Sequence, residues 1–182
     1  MSDSQNGAIT VTLPDGSRKE FEPGVTVLQV AESIGAGLAK ASLAGKVGGN
    51  PVDLSHVLHE DAEVELLTFS SDDGKQVYWH STAHIMAQAV QDLYPETKVT
   101  IGPPIDQGFY YDFDRDQPFT PEELEKIEER MQDIIGEDQP FERVEASRDK
   151  ALKIFSDLSE SYKLEILDEI DADETISIYR NA

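Results

Sequence analysis

The sequence predicts an α+β fold in two blocks. Three observations carry that expectation. Ile9, Val11 and Leu13 alternate with threonines, the period of a half-buried strand. Val27, Val30, Ala31 and Ile34 recur at the spacing of one helical face. After Phe69 the polar run Ser70–Gly74 interrupts the strand pattern, and helical patterning follows. The expected units are residues 1–69 and 75–182, and 182 residues are enough to bury a core in each.

In the first block Pro14-Asp15-Gly16-Ser17 has turn chemistry, and Arg18 to Phe21 returns as a second strand. Pro23-Gly24 breaks the chain, and Thr26 is placed to cap the helix whose stripe begins at Val27. Gly35 stops that helix, and Gly37 adds a flexible point. Leu43 to Val47 reads as a short strand, Gly48-Gly49-Asn50-Pro51 as a turn, and Val64 to Phe69 as a closing strand. Hairpin, helix and further strands make a small sheet with a helix across its inner face, the order of ubiquitin-like β-grasp domains.

The second block opens with a helix from about Gln76 to Tyr94, ended by Pro95. Its buried face is expected to hold His80, Ala83, His84, Ala87 and the Val90–Leu93 stretch. Val99 to Phe113 reads as two strands around a Gly/Pro turn. Thr120-Pro121-Glu122-Glu123 begins a helix with a cap, a first-position proline and acids in the first turn. Its core stripe is Leu124, Ile127, Met131 and Ile134-Ile135, and Gly136 ends it. A third helix, about Ser147 to Leu158, carries Ala151, Leu152, Ile154, Phe155 and Leu158. Tyr162 to Leu167 looks like a strand, and Thr175 to Tyr179 begins another.

Composition narrows the chemistry. Without cysteine there is no disulfide, thiolate–zinc site or cysteine nucleophile within the chain. The N-terminus has neither a basic nor an apolar signal region, and no apolar run nears the roughly 20 residues of a membrane span. A cytoplasmic protein is therefore expected. A net charge of −22 argues against a broad phosphate-binding surface and fits a solvated acidic coat.

His80 and His84 stand four residues apart on a helix, so both imidazoles reach one metal, or one polar substrate and its attacking water. A zinc-protease helix carries glutamate after the first histidine; Ser81 stands there, and a third ligand for a catalytic zinc is missing. His56 and His59, beside "HEDAE", are expected at the surface. Pattern alone leaves the pair equally open to a packing role and to a functional one. In "IGPPIDQGFYYDFD", Gly102 and Gly108 permit close backbone approach, and Tyr110 and Tyr111 supply rings and hydroxyls. A tight hairpin with aromatic core residues explains that segment as well. Lys163 alone reads as a solvated lysine on a strand.

Taken together, "HSTAHIMAQAV", "IGPPIDQGFYYDFD" and "ESYKLEIL", behind a block with "LPDGS" and "GLAKASLAGKV", resemble the N-terminal region of bacterial-type threonyl-tRNA synthetases. The resemblance implies a TGS domain over residues 1–69 and an editing domain over 75–182, which hydrolyses serine wrongly esterified to threonine tRNA. It puts His80, His84 and Lys163 among the catalytic residues, and Gly102, Pro103, Gly108, Tyr110 and Tyr111 in the substrate wall. That family completes its editing site with an Asp-x-Cys-x-x-x-His segment, which this sequence lacks, so an incomplete editing site is expected. No metal or cofactor is expected in this chain. ATP, magnesium and zinc go with the family's aminoacylation domain, also lacking here. The implied partners are the seryl-esterified 3′ end of threonine tRNA and the remaining synthetase domains, in a homodimeric parent. Two other readings stay open. One is a non-catalytic TGS-type regulatory or RNA-binding module. The other is a free-standing trans-editing deacylase of the alanyl-tRNA synthetase kind, against which the missing cysteine weighs.

Overall fold

The computed structural model describes residues 7–105, 107–139, 141–158, 160–171, 174 and 176–181. The fold is α+β, and the chain divides into two compact units at Trp79/His80.

The first unit is a β-grasp. Strands β1 (Ile9–Thr12) and β2 (Arg18–Phe21) form the expected hairpin. The two-residue β3 (Val25–Thr26) leads into α1 (Val27–Ile34). Thr26 caps α1 with both halves of a capping box, its hydroxyl accepting from the Gln29 N–H and the Gln29 side chain accepting from Thr26 N–H. Gly35 ends α1, but the chain then forms α2 (Ala36–Ala41), a turn of helix where the sequence suggests only flexibility. Strands β4 (Ser42–Val47), β5 (Asn50–Val52), β6 (Val57–Leu58) and β7 (Ala62–Thr68) follow. The sheet order is β2-β1-β7-β4-β5, with β1 and β7 parallel, while β3 and β6 pair apart from it. Ile9, Val11 and Val64 from the sheet meet Val27 and Val30 from α1 in one core. Ile34, expected on the inner stripe, is instead exposed at the helix end. His56 and His59 are exposed.

Helix α3 (Asp72–Leu93) begins four residues before the expected Gln76. The polar run Ser70–Gly74 is therefore a turn plus the first helical turn. Ser71 hydroxyl donates to the Thr68 carbonyl and accepts from Gly74 N–H, and Lys46 bonds Asp73. A Cβ on Gly74 would lie 1.9 Å from the Thr68 carbonyl oxygen, so only glycine permits this approach.

The second unit continues from His80. Strands β8 (Lys98–Val99), β9 (Pro104–Ile105), β10 (Gly108–Phe109) and β11 (Phe113–Asp114) make one irregular hairpin, in which Val99 faces Phe113 and Ile105 faces Gly108. Helix α4 (Pro121–Gly136) has the expected bounds, with a Thr120–Glu123 capping box. Arg115 forks onto Glu123 at 2.7 and 3.2 Å and lies over the Tyr94 and Phe119 rings, fixing the helix start to β11. Strand β12 (Phe141–Ala146), helix α5 (Arg148–Asp157), helix α6 (Ser161–Glu169) and β13 (Ile176–Asn181) complete the unit. β12 and β13 pair antiparallel over six residues each. Thr175, expected to start the last strand, lies outside the described residues.

Several expectations are corrected. Tyr162 to Leu167 is helix, not strand, so Lys163 sits on α6. Tyr162, Leu164 and Ile166 mimic a period of two, but Leu167 is buried and Leu164 packs beside it while Ile166 is exposed, which is helical spacing. In α4, Ile127 and Ile134 are buried and Met131 packs on them, whereas Leu124 and Ile135 are exposed. Leu158, just past α5, is exposed as well. Among the described residues no helix is long and apolar enough to cross a membrane.

Candidate functional site

Helix α3 buries Ala83, Ala87, Ala89 and Val90. His80 and His84 fall beside that stripe and are exposed, contrary to the expected buried face, and Leu93 is exposed too. The small alanines carry the packing, which leaves the imidazoles on the helix flank. There the two Nε2 atoms lie 3.0 Å apart, with the rings edge to face at 4.6 Å. One Nε2 must carry the hydrogen and the other the lone pair.

Solvent reaches both residues, yet the surrounding protein strips enough water from the rings to hold their pKa values down. For His84 the value falls to about 4, through burial first, then the charges of His80 and Lys163. At neutral pH the pair is therefore uncharged, and the lysine is its nearby cation.

Lys163 is half-buried, with its side chain 35% exposed. Its ammonium stands 3.5 Å from a Glu160 carboxylate oxygen and 5.6 Å from the centre of the Phe155 ring. The same Glu160 oxygen accepts from the Gln91 amide at 2.7 Å. Gln91 follows His84 by two helical turns, so His80, His84 and Gln91 share a face of α3. The Glu160 side chain is only 11% exposed, and its charge, after burial, helps to raise the Tyr111 phenol pKa. The Tyr111 ring stacks on Phe113 at 4.8 Å and lies against Gly102, where a Cβ would come within 2.1 Å of the ring. Gly102 is glycine because Tyr111 occupies the space of a side chain.

His84 thus contacts His80 and feels the charge of Lys163, Lys163 pairs with Glu160, and Tyr111 feels the charge of Glu160. Pro103 lies half-buried before β9, Gly108 has φ of 149° with open space at its Cβ position, and Tyr110 is 49% exposed. Among the described residues no bond or ring contact ties those three to the histidines. Sequence reasoning missed Glu160 and Gln91, and lone acids and amides carry no motif. The one available signal is that Glu160 precedes Lys163 by three residues, a helical pairing hidden once the segment reads as strand. Among the described residues no group of three His, Asp or Glu side chains is arranged to hold a metal ion.

Residues 9–68 match the family profile of the TGS domain. The chain is 58% identical over 173 residues to a threonine–tRNA ligase of Thiobacillus denitrificans, covering 94% of this chain and 27% of that protein. It is 55% identical over 172 residues to one of Desulforamulus reducens, with 94% and 27% covered. To that of Caldanaerobacter subterraneus subsp. tengcongensis it is 46% identical over 177 residues, with 97% and 28% covered. The chain spans about a quarter of the length of the curated relatives it matches. It belongs to the threonine–tRNA ligase family, matching the N-terminal, TGS-bearing region.

Proposed function

Starting from that membership, we propose that the His80–His84–Lys163 group is an editing site that hydrolyses serine esterified to threonine tRNA. The observation that supports it best is a neutral imidazole pair beside a fixed ammonium. Hydrolysis adds a water oxygen to the ester carbonyl carbon, breaks the carbon–oxygen bond to the ribose, and delivers a proton to the ribose oxygen. The imidazole lone pair orients the water or a ribose hydroxyl, and the second ring relays the proton. Lys163 faces the negative charge that develops on the carbonyl oxygen. Tyr111, set by Gly102, supplies part of the wall. A ligation site built for threonine discriminates serine by one methyl, about 1–3 kcal/mol, so a second site admitting only the smaller residue raises fidelity.

In this reading threonine ligation, with its ATP, magnesium and zinc, belongs to the three-quarters of the parent outside the matched region. Most of the tRNA phosphate contacts lie there as well, because this chain carries −22. Seryl-tRNA deacylation by a complete ligase containing this sequence tests the proposal. His84→Ala and Lys163→Ala each lower deacylation by about a hundredfold while threonine charging is kept. Normal deacylation after both histidines are replaced refutes it.

A further inference from the structure

The Lys163 ammonium lies 5.6 Å from the centre of the Phe155 ring and 3.5 Å from a Glu160 carboxylate oxygen. Glu160 is itself the N-cap residue of α6, yet its side chain makes no capping bond. Serine, aspartate or asparagine there would satisfy a free N–H of the first turn and stabilise the helix by about 1 kcal/mol. The carboxylate instead turns to Lys163 and to Gln91, a residue 69 positions away on the histidine helix. A local rule broken at a nearly buried acid is the mark of a functional constraint.

We propose that Glu160 is a positioning residue: it anchors the Lys163 ammonium at a fixed place beside the histidine pair, and Gln91 anchors Glu160 to the helix that carries the pair. The proposal rests on the editing reading of the same site and adds what aims its cation. A lysine side chain has four rotatable bonds and a compact charge, so without a fixed counter-ion its ammonium spends its time in water. A carboxylate pinned by an amide confines it before substrate arrives, and preorganisation of that kind raises affinity for a ligand carbonyl or ribose oxygen. Glu160 touches no reacting atom in this arrangement and acts through Lys163 alone.

The test uses the chain itself and a stable substrate mimic, 3′-(L-seryl)amino-3′-deoxyadenosine, with binding read from the His80 and His84 ring resonances. Glu160→Gln and Lys163→Met should each weaken binding about tenfold. The double substitution should bind no more weakly than Lys163→Met alone, a non-additivity that general loosening of the fold would not give. Should Glu160→Gln fail to fold, Gln91→Met removes the amide donor instead, with a few-fold loss that vanishes in the Lys163→Met background. Unchanged binding by Glu160→Gln, beside a weakened Lys163→Met, overturns the inference and leaves the editing reading intact. A further tenfold loss on adding Glu160→Gln to Lys163→Met also overturns it, because Glu160 would then contact the ligand directly. Unchanged binding by Lys163→Met, or no saturable shift in the unaltered chain, removes the editing assignment and the inference together.

Discussion

The imidazole pair allows a quantitative prediction. With the Nε2 atoms 3.0 Å apart, two imidazolium charges would repel by about 1.4 kcal/mol at the dielectric constant of water and about 5.5 kcal/mol at an effective value of 20. The rings are partly desolvated but still reached by water, so the repulsion lies nearer the lower figure, which corresponds to about one pKa unit. His84 is held at about 4 by burial first and by His80 second, so His80→Ala should raise its midpoint by about one unit and leave it below 6.5. Two-dimensional NMR of labelled imidazoles between pH 3 and 8 reads both midpoints. A His84 midpoint near 6.5 in the unaltered chain, or no change on His80→Ala, would refute the reasoning.

The sign of the linked stability follows from the direction of the shift. Between about pH 6.5 and 4 the unfolded chain takes up the His84 proton and the folded chain does not. Stability from this group is therefore level above 6.5 and falls as pH drops through that window. The fall is discounted to about 1 kcal/mol because water screens the ring. Urea denaturation at pH 7 and pH 4.5 should show a smaller difference for His84→Gln than for the unaltered chain.

Gly102→Ala places a methyl within 2.1 Å of the Tyr111 ring, so the ring leaves its stack on Phe113. Stability falls by about 1–3 kcal/mol in urea denaturation, and binding of the seryl-adenosine mimic is lost. Gly74→Ala meets the Thr68 carbonyl, which is backbone and yields little, so about 3 kcal/mol is lost, read by thermal unfolding. Thr120→Ala removes the hydroxyl that accepts from Glu123 N–H and costs about 1 kcal/mol by the same measurement. Protein purified without a histidine tag should retain no stoichiometric zinc in elemental analysis, because the described residues offer the imidazole pair no third ligand and the Lys163 charge acting on His84 disfavours a divalent cation.

The β-grasp was legible because its signals are local and agree with one another. Alternation gives β1, turn residues close the hairpin, and Thr26 with Gln29 starts α1. Helix α4 was legible for the same reason, since cap, proline and acids coincide at Thr120–Glu123. α6 was not. Its apolar residues satisfy both periods, and only the packing of Leu164 and Leu167 with Ala151 and Ile176 decides for helix. That decision moved Lys163 one turn from Glu160 and made the ion pair possible. Gln91 could not be found from sequence, since a single amide on a helix has no pattern and its partner lies 69 residues on.

The acidity of the chain and the placement of its one site lysine fit together. A surface at −22 repels the tRNA backbone, and a free lysine within it would be drawn to whichever carboxylate lay nearest. Lys163 is committed to Glu160 instead, and that carboxylate is tied to α3 through Gln91. The local charge of the pair is close to zero, so its field reaches only its immediate surroundings. Under the proposed editing role, grip on phosphate, which scales with the number of cations and fades with salt, is separated from recognition of the ester, which depends on one directed ammonium and two neutral rings. In that role, a region organised in this way would discriminate the acyl group without competing for the body of the tRNA.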